Sequence, residues 1–394
     1  MQGVLAELGE RDEDPAVVEL ISVLARLKSL HNEDQDAIEL AERALVAAER
    51  LDLVEVIAGS VLTKAVSLSY LHRNREAMIL LPGVLLMAES HGMVVLELRA
   101  RLNLSQFGLV DEPGVALSVA RLGLERAQKL GLRFWETLLA GNAVMAAVRV
   151  GEWDWALSVG GEVIGDGPID QVNDEAVGYL AVITALRGDG GGPLAEAIRT
   201  YEPFVKDTND PQYPDMLQGL RAWARLTAGE LGPAIDLVLG HRFVDPTYGS
   251  SAYILAGHAA LWLRDLERAR RVQETLRIFS VRGKWVDACR HSLDGGIAAL
   301  EGRTAEAVAL YSDAVQTLRD DGVALDTALC LMDQVAVLDP ALPAAQAAAE
   351  EARQILERLD AVALRPHLDR LLVAQPVESG AGPAPVPETS GRRQ

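Results

Sequence analysis

A pattern of small residues recurs along the chain at intervals close to 39 residues. In each copy, a small residue early in an amphipathic segment is followed by two residues, four and seven positions later, on the same helical face. The motif begins at Ala37, Ala77, Ala116, Ala156, Ala195, Ala234, Ala269 and Ala307. A regular period of this length indicates a repeat architecture, in which each unit packs on its neighbours, rather than a single globular core.

Each repeat consists of two amphipathic segments joined by a short turn, such as "HNED" (31–34), "VGEWD" (150–154) and "EGRT" (301–304). No run of alternating Val, Ile and Thr suggests a strand. We therefore predict an all-α fold, a superhelical solenoid of about eight to nine antiparallel helix pairs. The spacing of small and aromatic residues in the second helix favours the tetratricopeptide type over HEAT or armadillo repeats.

The repeats predict three regions. Residues 1–14 are expected to hold a short helix and an acidic linker, and residues 15–373 form the repeat domain. Residues 374–394 are rich in Pro, Gly and Ser and have little to bury, so we expect a disordered tail. The alternative for this tail is a Pro-rich docking segment.

Composition narrows the class of partner and the compartment. The formal charge of −20 disfavours nucleic acid and anionic membranes as direct partners. The longest apolar run, at 77–88, is too short to span a bilayer and is interrupted by Pro82. Cys289 and Cys330 form no C-x-x-C motif, which favours reduced thiols. We expect a cytoplasmic protein.

The motifs that could carry chemistry favour structural interpretations. "RGDGGGP" (187–193) lacks the Lys-Ser/Thr pair of a phosphate-binding loop and is better explained as a turn between helices. Cys289 and His291 would point to different faces of a helix, so a buried structural cysteine is the preferred interpretation. The histidines show no metal-ligand spacing. We therefore predict no catalytic residue, no cofactor and no metal.

Two segments carry a resemblance to a known family. "GNAVMAAVRVGEWDWAL" (141–157) and "EEARQILERLDAVALRPHLDRLL" (350–372) resemble the tetratricopeptide-like repeat region of bacterial LuxR/MalT-like signal-transduction ATPases and of ATPase-coupled class III adenylate cyclases. The chain contains no G-x-x-x-x-G-K-[ST], no assignable pair of metal-binding aspartates and no basic helix-turn-helix at its C-terminus. The resemblance therefore implies the sensing or partner-binding portion of such a protein, without its catalytic domains.

Counting back from the motif alanines predicts which residues face the concave side of the stack. The candidate partner-binding residues are Tyr70, Arg101, Met145, Arg149, Trp223, His258 and Trp262. The two indoles are either core residues at helix joints or part of an aromatic and arginine cluster of the kind that dominates interface energy.

We expect a non-catalytic scaffold or regulatory sensor that binds a protein or peptide, or else a small effector. Two alternatives remain open: an enzyme hidden in the array, and a detached C-terminal part of a signal-transduction ATPase or adenylate cyclase.

Overall fold

The computed structural model describes residues 13–164, 174–207 and 212–373, and these residues form nineteen α-helices and no strand. The predicted all-α repeat fold is confirmed. The predicted tail at 374–394 and nearly all of the predicted linker at 1–14 lie outside the described residues. No helix in the described ranges has both the length and the apolar character needed to cross a membrane.

The helices form nine consecutive pairs, followed by a single helix. The first helices of the pairs are α1 (Pro15–Leu30), α3 (Val54–Tyr70), α5 (Val94–Gly108), α7 (Arg133–Val150), α9 (Asp174–Leu186), α11 (Gln212–Thr227), α13 (Pro246–Trp262), α15 (Lys284–Leu300) and α17 (Ala324–Val337). The second helices are α2 (Asp34–Arg50), α4 (Asn74–Ser90), α6 (Pro113–Leu130), α8 (Trp153–Ile164), α10 (Gly192–Asp207), α12 (Leu231–Leu239), α14 (Leu266–Phe279), α16 (Thr304–Asp320) and α18 (Pro343–Arg358). The single helix α19 (Arg365–Val373) packs on α17 and α18 at the C-terminal end.

The motif alanines lie where the two helices of a pair cross. Ala37, Ala77, Ala156 and Ala307 are completely buried in second helices, and their small side chains allow close approach of the neighbouring helix. The motif start predicted at Ala195 is wrong, because Ala195 is exposed. In α10 the buried face runs through Leu194, Ala197 and Tyr201, so this repeat begins one residue earlier than predicted.

Most of the described turns between helices share one geometry. The chain leaves a helix through a residue with positive φ, such as Asn32, His72 or Gly302. The N–H of the next residue then bonds to the carbonyl five positions back, as from Arg73 to Leu68 at 2.8 Å. These bonds satisfy carbonyls that the helix end would otherwise leave without partners. The glycine-rich stretch at 187–193 is such a turn, between α9 and α10, as predicted.

The stack of helix pairs curves back on itself, so that helices far apart in sequence touch. The inner helix α17 packs against α7 and α13, and α5 also contacts α13. Nearly every residue of α13 and α17 is buried, and α7 is buried without a break from Leu139 to Arg149. Buried residues therefore lie on all sides of these segments, as expected for helices that no longer face solvent.

Backbone hydrogen bonds form one joint between repeats that are far apart in sequence. The first N–H groups of α15 have no partner within their own helix. Instead, Trp285 N–H bonds to the Asp111 carbonyl at 2.8 Å, and Val286 N–H bonds to that of Val110 at 3.3 Å. Lys284 N–H bonds to Asp111 Oδ1 at 2.7 Å. Gly283 permits this approach, because a Cβ there would lie 2.1 Å from the Val110 oxygen.

We predict that Gly283→Ala separates this joint and lowers the free energy of unfolding by about 1–3 kcal/mol, the usual range for overpacking. Urea titration followed by circular dichroism measures the change. Gly161→Ala is the matched control, because Gly161 is exposed on α8 and a Cβ there would meet nothing within 4 Å. It should be neutral or stabilise the protein by up to about 1 kcal/mol. Equal effects of the two substitutions would contradict the prediction.

Candidate functional site

Four of the predicted partner-binding residues are buried. Trp262 is 6% exposed and His258 is 3% exposed, and Met145 and Arg149 are also buried. All four lie on first helices, as predicted, but α17 packs over their inner face. The expectation of an open groove at these repeats is therefore corrected: because the stack curves back, its own chain fills the space that a partner would occupy.

His258 and Trp262 belong to a buried hydrogen-bond cluster centred on Asp333. The Asp333 carboxylate accepts from Trp262 Nε1 at 2.9 Å and from Ser292 Oγ at 3.0 Å, and its Oδ2 lies 2.8 Å from His258 Nδ1. The cluster joins α13, α15 and α17. Burial by itself lowers the pKa of His258, but the charge and hydrogen bond of Asp333, together with the charge of Asp326, outweigh burial and raise it.

Arg149 lies beside this cluster and links α7 to three other helices, α13, α15 and α17. Its guanidinium stacks on the Trp285 ring with its central carbon 3.6 Å from the ring centroid, and it lies 3.9 Å from Asp326 Oδ1. It also donates a hydrogen bond to Ser251 Oγ. Between Arg149, His258 and Asp326 is a cavity of only about 30 Å³, which is room for about one or two water molecules. These residues therefore stabilise the core and do not form a site for a larger ligand.

The two cysteines are buried free thiols near the same cluster. Burial is the main cause that raises the pKa of Cys289 and of Cys330, and the charges of Asp326 and Asp333 add to it. A buried thiol with a raised pKa is a poor nucleophile. The predicted burial of Cys289 is confirmed.

We predict that the Asp333 cluster makes stability depend on pH above neutrality. Because the folded-state pKa of His258 is raised above 6.5, the stabilisation from its protonated form is fully present below about pH 6.5 and is lost as pH rises through the folded pKa. Urea titrations from pH 6 to 9 should show the wild type losing stability relative to His258→Asn as pH rises.

His291→Asn is the control, since His291 lies in the same fold on the surface beside Asp313. It should keep the wild-type slope. His367, whose pKa burial lowers to about 4, affects stability only below about pH 6.5 and does not interfere. Parallel pH profiles for wild type and His258→Asn would contradict the prediction.

Tyr70, another predicted residue, lines a larger cavity of about 280 Å³. Its walls come from six first helices, α3, α5, α7, α9, α11 and α13. We call it the inter-turn cavity, because these helices belong to repeats that are far apart in sequence and meet where the stack curves back. Its principal polar lining residues are Tyr70, Gln106, Asn142, Glu175, Gln212 and Tyr248. Leu102, Leu138 and Met216 contribute apolar surface. The volume is near the lower end of the range of about 300–1,000 Å³ that is usual for small-molecule sites.

A chain of hydrogen bonds holds one wall of the inter-turn cavity. Gln212 Nε2 donates to the Tyr70 hydroxyl and, at 3.4 Å, to Asp245 Oδ2. Asp245 caps α13, because its Oδ1 accepts from Thr247 N–H at 2.8 Å and from Tyr248 N–H at 3.0 Å. Asp215 in turn accepts from the N–H of Asp245 at 2.8 Å. The wall thus connects α3, α11 and α13 through polar contacts.

The lining also contains a buried tyrosine bonded to a carboxylate. The Tyr248 hydroxyl donates to Glu175 Oε1. Burial, followed by the charge of Glu175, raises the pKa of Tyr248 well above its usual value, so the hydroxyl stays protonated. Asn142 Nδ2 donates to the Leu102 carbonyl at 2.8 Å and to Ser105 Oγ at 2.9 Å.

Among the described lining residues, Gln106 is the one with an unsatisfied buried atom. The residue is only 9% exposed, and its Oε1 has no hydrogen-bond partner in the described part of the chain. Leaving such an acceptor unpaired costs about 1–3 kcal/mol. A cost of this size at the wall of a polar cavity is typical of a site whose hydrogen bonds are completed by a ligand or water.

The remaining two predicted partner-binding residues, Arg101 and Trp223, pack within the fold. Arg101 is largely buried between Glu97, 3.4 Å away, and Glu89. Trp223 is half-buried against the main core and borders the small cavity beside His258. Neither lines the inter-turn cavity.

Most residues of the inter-turn cavity were not predicted from the sequence. Gln106, Asn142, Glu175, Gln212 and Tyr248 lie on five different helices and form no local motif. A weak signal does exist, because Tyr70, Gln106 and Asn142 follow one another at intervals of 36 residues, as do Gln212 and Tyr248. A polar residue that recurs with the repeat on the inner face indicates a shared polar surface.

Comparison with protein-family models gives no match, and a search of curated protein sequences finds no significantly similar sequence. Among the described residues, no three His, Cys, Asp or Glu side chains are grouped so that they could hold a metal ion. The functional argument therefore depends on the geometry of the two cavities and of the exposed surface.

Proposed function

We propose that this chain is a non-catalytic regulatory sensor module of bacterial signal transduction, which binds a small polar effector in the inter-turn cavity. The observation that carries the proposal is the position of this cavity between helices that are far apart in sequence. Tyr70 and Gln212 are hydrogen-bonded in its wall although 142 residues separate them. A ligand bound there contacts several turns of the stack at once.

Such a position couples binding to the shape of the whole stack. In a repeat protein, stability is mostly the sum of contacts between neighbouring units. A ligand that contacts α3, α5, α11 and α13 together adds contacts only when these helices are close, so it favours the closed arrangement over an open one. The effector thereby changes the outer surface that the repeats present to a partner.

We predict that an effector raises the stability of the wild type and not that of Leu138→Phe, in which a half-buried cavity-lining residue is enlarged to occupy the site. A ligand at one hundred times its Kd adds about 2.7 kcal/mol. The measurement is thermal unfolding of the full chain against fractions of bacterial extract below about 1 kDa.

Hydrogen exchange provides the second readout. The same fraction should slow exchange of the Trp285 and Val286 amides, which hold the joint between turns. Stabilisation of equal size in wild type and Leu138→Phe would contradict binding in the inter-turn cavity. If no fraction stabilises the wild type, the proposal is wrong.

A protein-binding role is a second candidate, favoured by an exposed apolar stripe on α1. Leu20, Val23, Leu27 and Leu30 are 37%, 53%, 38% and 67% exposed. Their spacing of three, four and three residues is that of the a and d positions of a heptad, which pack against another helix. The stripe therefore fits an amphipathic helix of a partner protein.

For this candidate we expect a photo-crosslinking residue at position 23 to capture a partner helix, and Leu27→Glu to abolish that capture. A crosslinker at Arg353, exposed on α18, is the control site. Capture that survives Leu27→Glu would contradict the role of the stripe.

The resemblance to the repeat regions of signal-transduction ATPases and adenylate cyclases supports the regulatory context. The alternative from the same resemblance is that this chain is a detached or truncated part of such an enzyme, with the catalytic domains elsewhere. Stoichiometric binding of ATP by this chain alone would contradict the non-catalytic proposal.

A further inference from the structure

Two arginines on first helices of the N-terminal repeats have no acidic partner. Arg99 on α5 is partly buried, and its side chain makes one hydrogen bond among the described residues, from Nη2 to Thr63 Oγ1 at 3.3 Å. Arg26 on α1 makes no hydrogen bond and no ion pair in the described part of the chain. Because a guanidinium has five N–H donors, most donors of both groups are not used by the protein.

Other arginines that lose contact with water in this protein are paired with carboxylates. Arg101 lies 3.4 Å from Glu97, and Arg290 lies 3.2 Å from Asp287. A charge that is taken out of water is unfavourable unless an opposite charge or hydrogen bonds compensate for it. Arg99 lacks the carboxylate that these two side chains have.

Arg26 and Thr63 lie on the faces along which α1 and α3 touch. In this contact, Ser22 Oγ and Ser60 Oγ are 2.9 Å apart. Arg26 follows Ser22 by four residues and Thr63 follows Ser60 by three, and these are the spacings of neighbours on one helical face. Since α3 also packs against α5, whose Arg99 bonds to Thr63, the two arginines lie on the helices that flank Thr63.

The positive charges of the two arginines act on each other. Burial, followed by the charge of Arg26, lowers the pKa of Arg99 to about 10, and no carboxylate offsets this effect. Both guanidiniums are still charged at neutral pH. Two like charges at one place are unfavourable until an anion binds beside them, and here they lie in a chain whose formal charge is −20.

We propose that Arg26 and Arg99 form a binding site for an oxyanion, a phosphate or a carboxylate group, beside Thr63. Guanidinium groups bind both kinds of anion through paired N–H···O bonds, so the shared chemistry is that of two negatively charged oxygens on one centre. The site is separate from the inter-turn cavity, whose described lining contains neither arginine. It is therefore a second site, beyond the proposed effector role of that cavity.

Titration calorimetry of the full chain with inorganic phosphate and with succinate tests this site. Both probes are titrated at pH 7.5 in Tris chloride, at a constant low ionic strength, because salt screens charges that are exposed. At least one of the two anions should bind with a stoichiometry of one, and the tighter of them identifies the group that the site prefers. The uncharged 1,4-butanediol, which has the same chain length as succinate, should not bind.

Two substitutions locate the binding. Arg99→Met keeps an unbranched side chain while removing the charge, and should weaken anion binding at least tenfold. Arg26→Gln removes the second charge at an exposed position, where packing is not disturbed, and should weaken binding as well. Arg271→Gln is the matched control, because Arg271 is exposed on α14 and has no described ion pair. It should leave the affinity unchanged, and melting temperatures show that each variant is folded.

Leu138→Phe separates this site from the inter-turn cavity and should leave anion binding unchanged. Binding that is lost in Leu138→Phe and kept in both Arg99→Met and Arg26→Gln would place the anion in the cavity and overturn the assignment. Equal binding by the wild type and both arginine variants is non-specific and overturns it too, as does the failure of both anions to bind. The effector role of the inter-turn cavity is decided by the extract experiment and does not depend on the two arginines.

Discussion

The packing of α17 against α7 and α13 is the contact on which the rest of this structure depends. In an open stack of helix pairs, each unit contacts only its sequence neighbours, and the inner face remains available to a partner. Here the inner face is covered by the chain itself. The backbone joint at Gly283, the Asp333 cluster and the inter-turn cavity all exist because turns separated by many residues are brought together.

The covered inner face explains why the inner helices carry so many buried polar groups. Residues in these positions lose contact with water once the turns meet, and a buried charge is tolerated only when it is paired. Asp333 meets this requirement with three polar neighbours, and Arg149 meets it by stacking on Trp285 beside Asp326. Unpaired buried atoms remain at both cavities: His258 Nε2 and Asp326 Oδ2 border the small one, and Gln106 Oε1 belongs to a residue that lines the inter-turn cavity. The functional proposal lies at the inter-turn cavity because the packing there leaves the larger volume.

The sequence was sufficient to predict the period, the helix pairs and the turns, because these depend on local spacing and on small residues at the crossings. The motif start predicted at Ala195 was wrong because Leu194 and Ala195 both suit a helix crossing. Only the packing shows that Leu194 is the buried residue. The closure of the inner face was not predicted, because it depends on the small rotation that each repeat adds to the last. One segment did contain the information: "YILAGHAALW" (253–262) is apolar on all sides, which is unusual for a helix that faces a groove.

The joints between turns also constrain how a chain of this kind can change in length. The bonds from Lys284 to Asp111 and from Gly114 to Asp321 join residues that are 173 and 207 positions apart. Solenoids commonly gain or lose whole repeats, since any two neighbours fit together. In this protein, duplication of one unit between residues 114 and 283 would move Gly283 away from Val110 and leave the amides at the start of α15 without partners. The contacts between distant repeats therefore oppose the gain or loss of a whole unit between these residues.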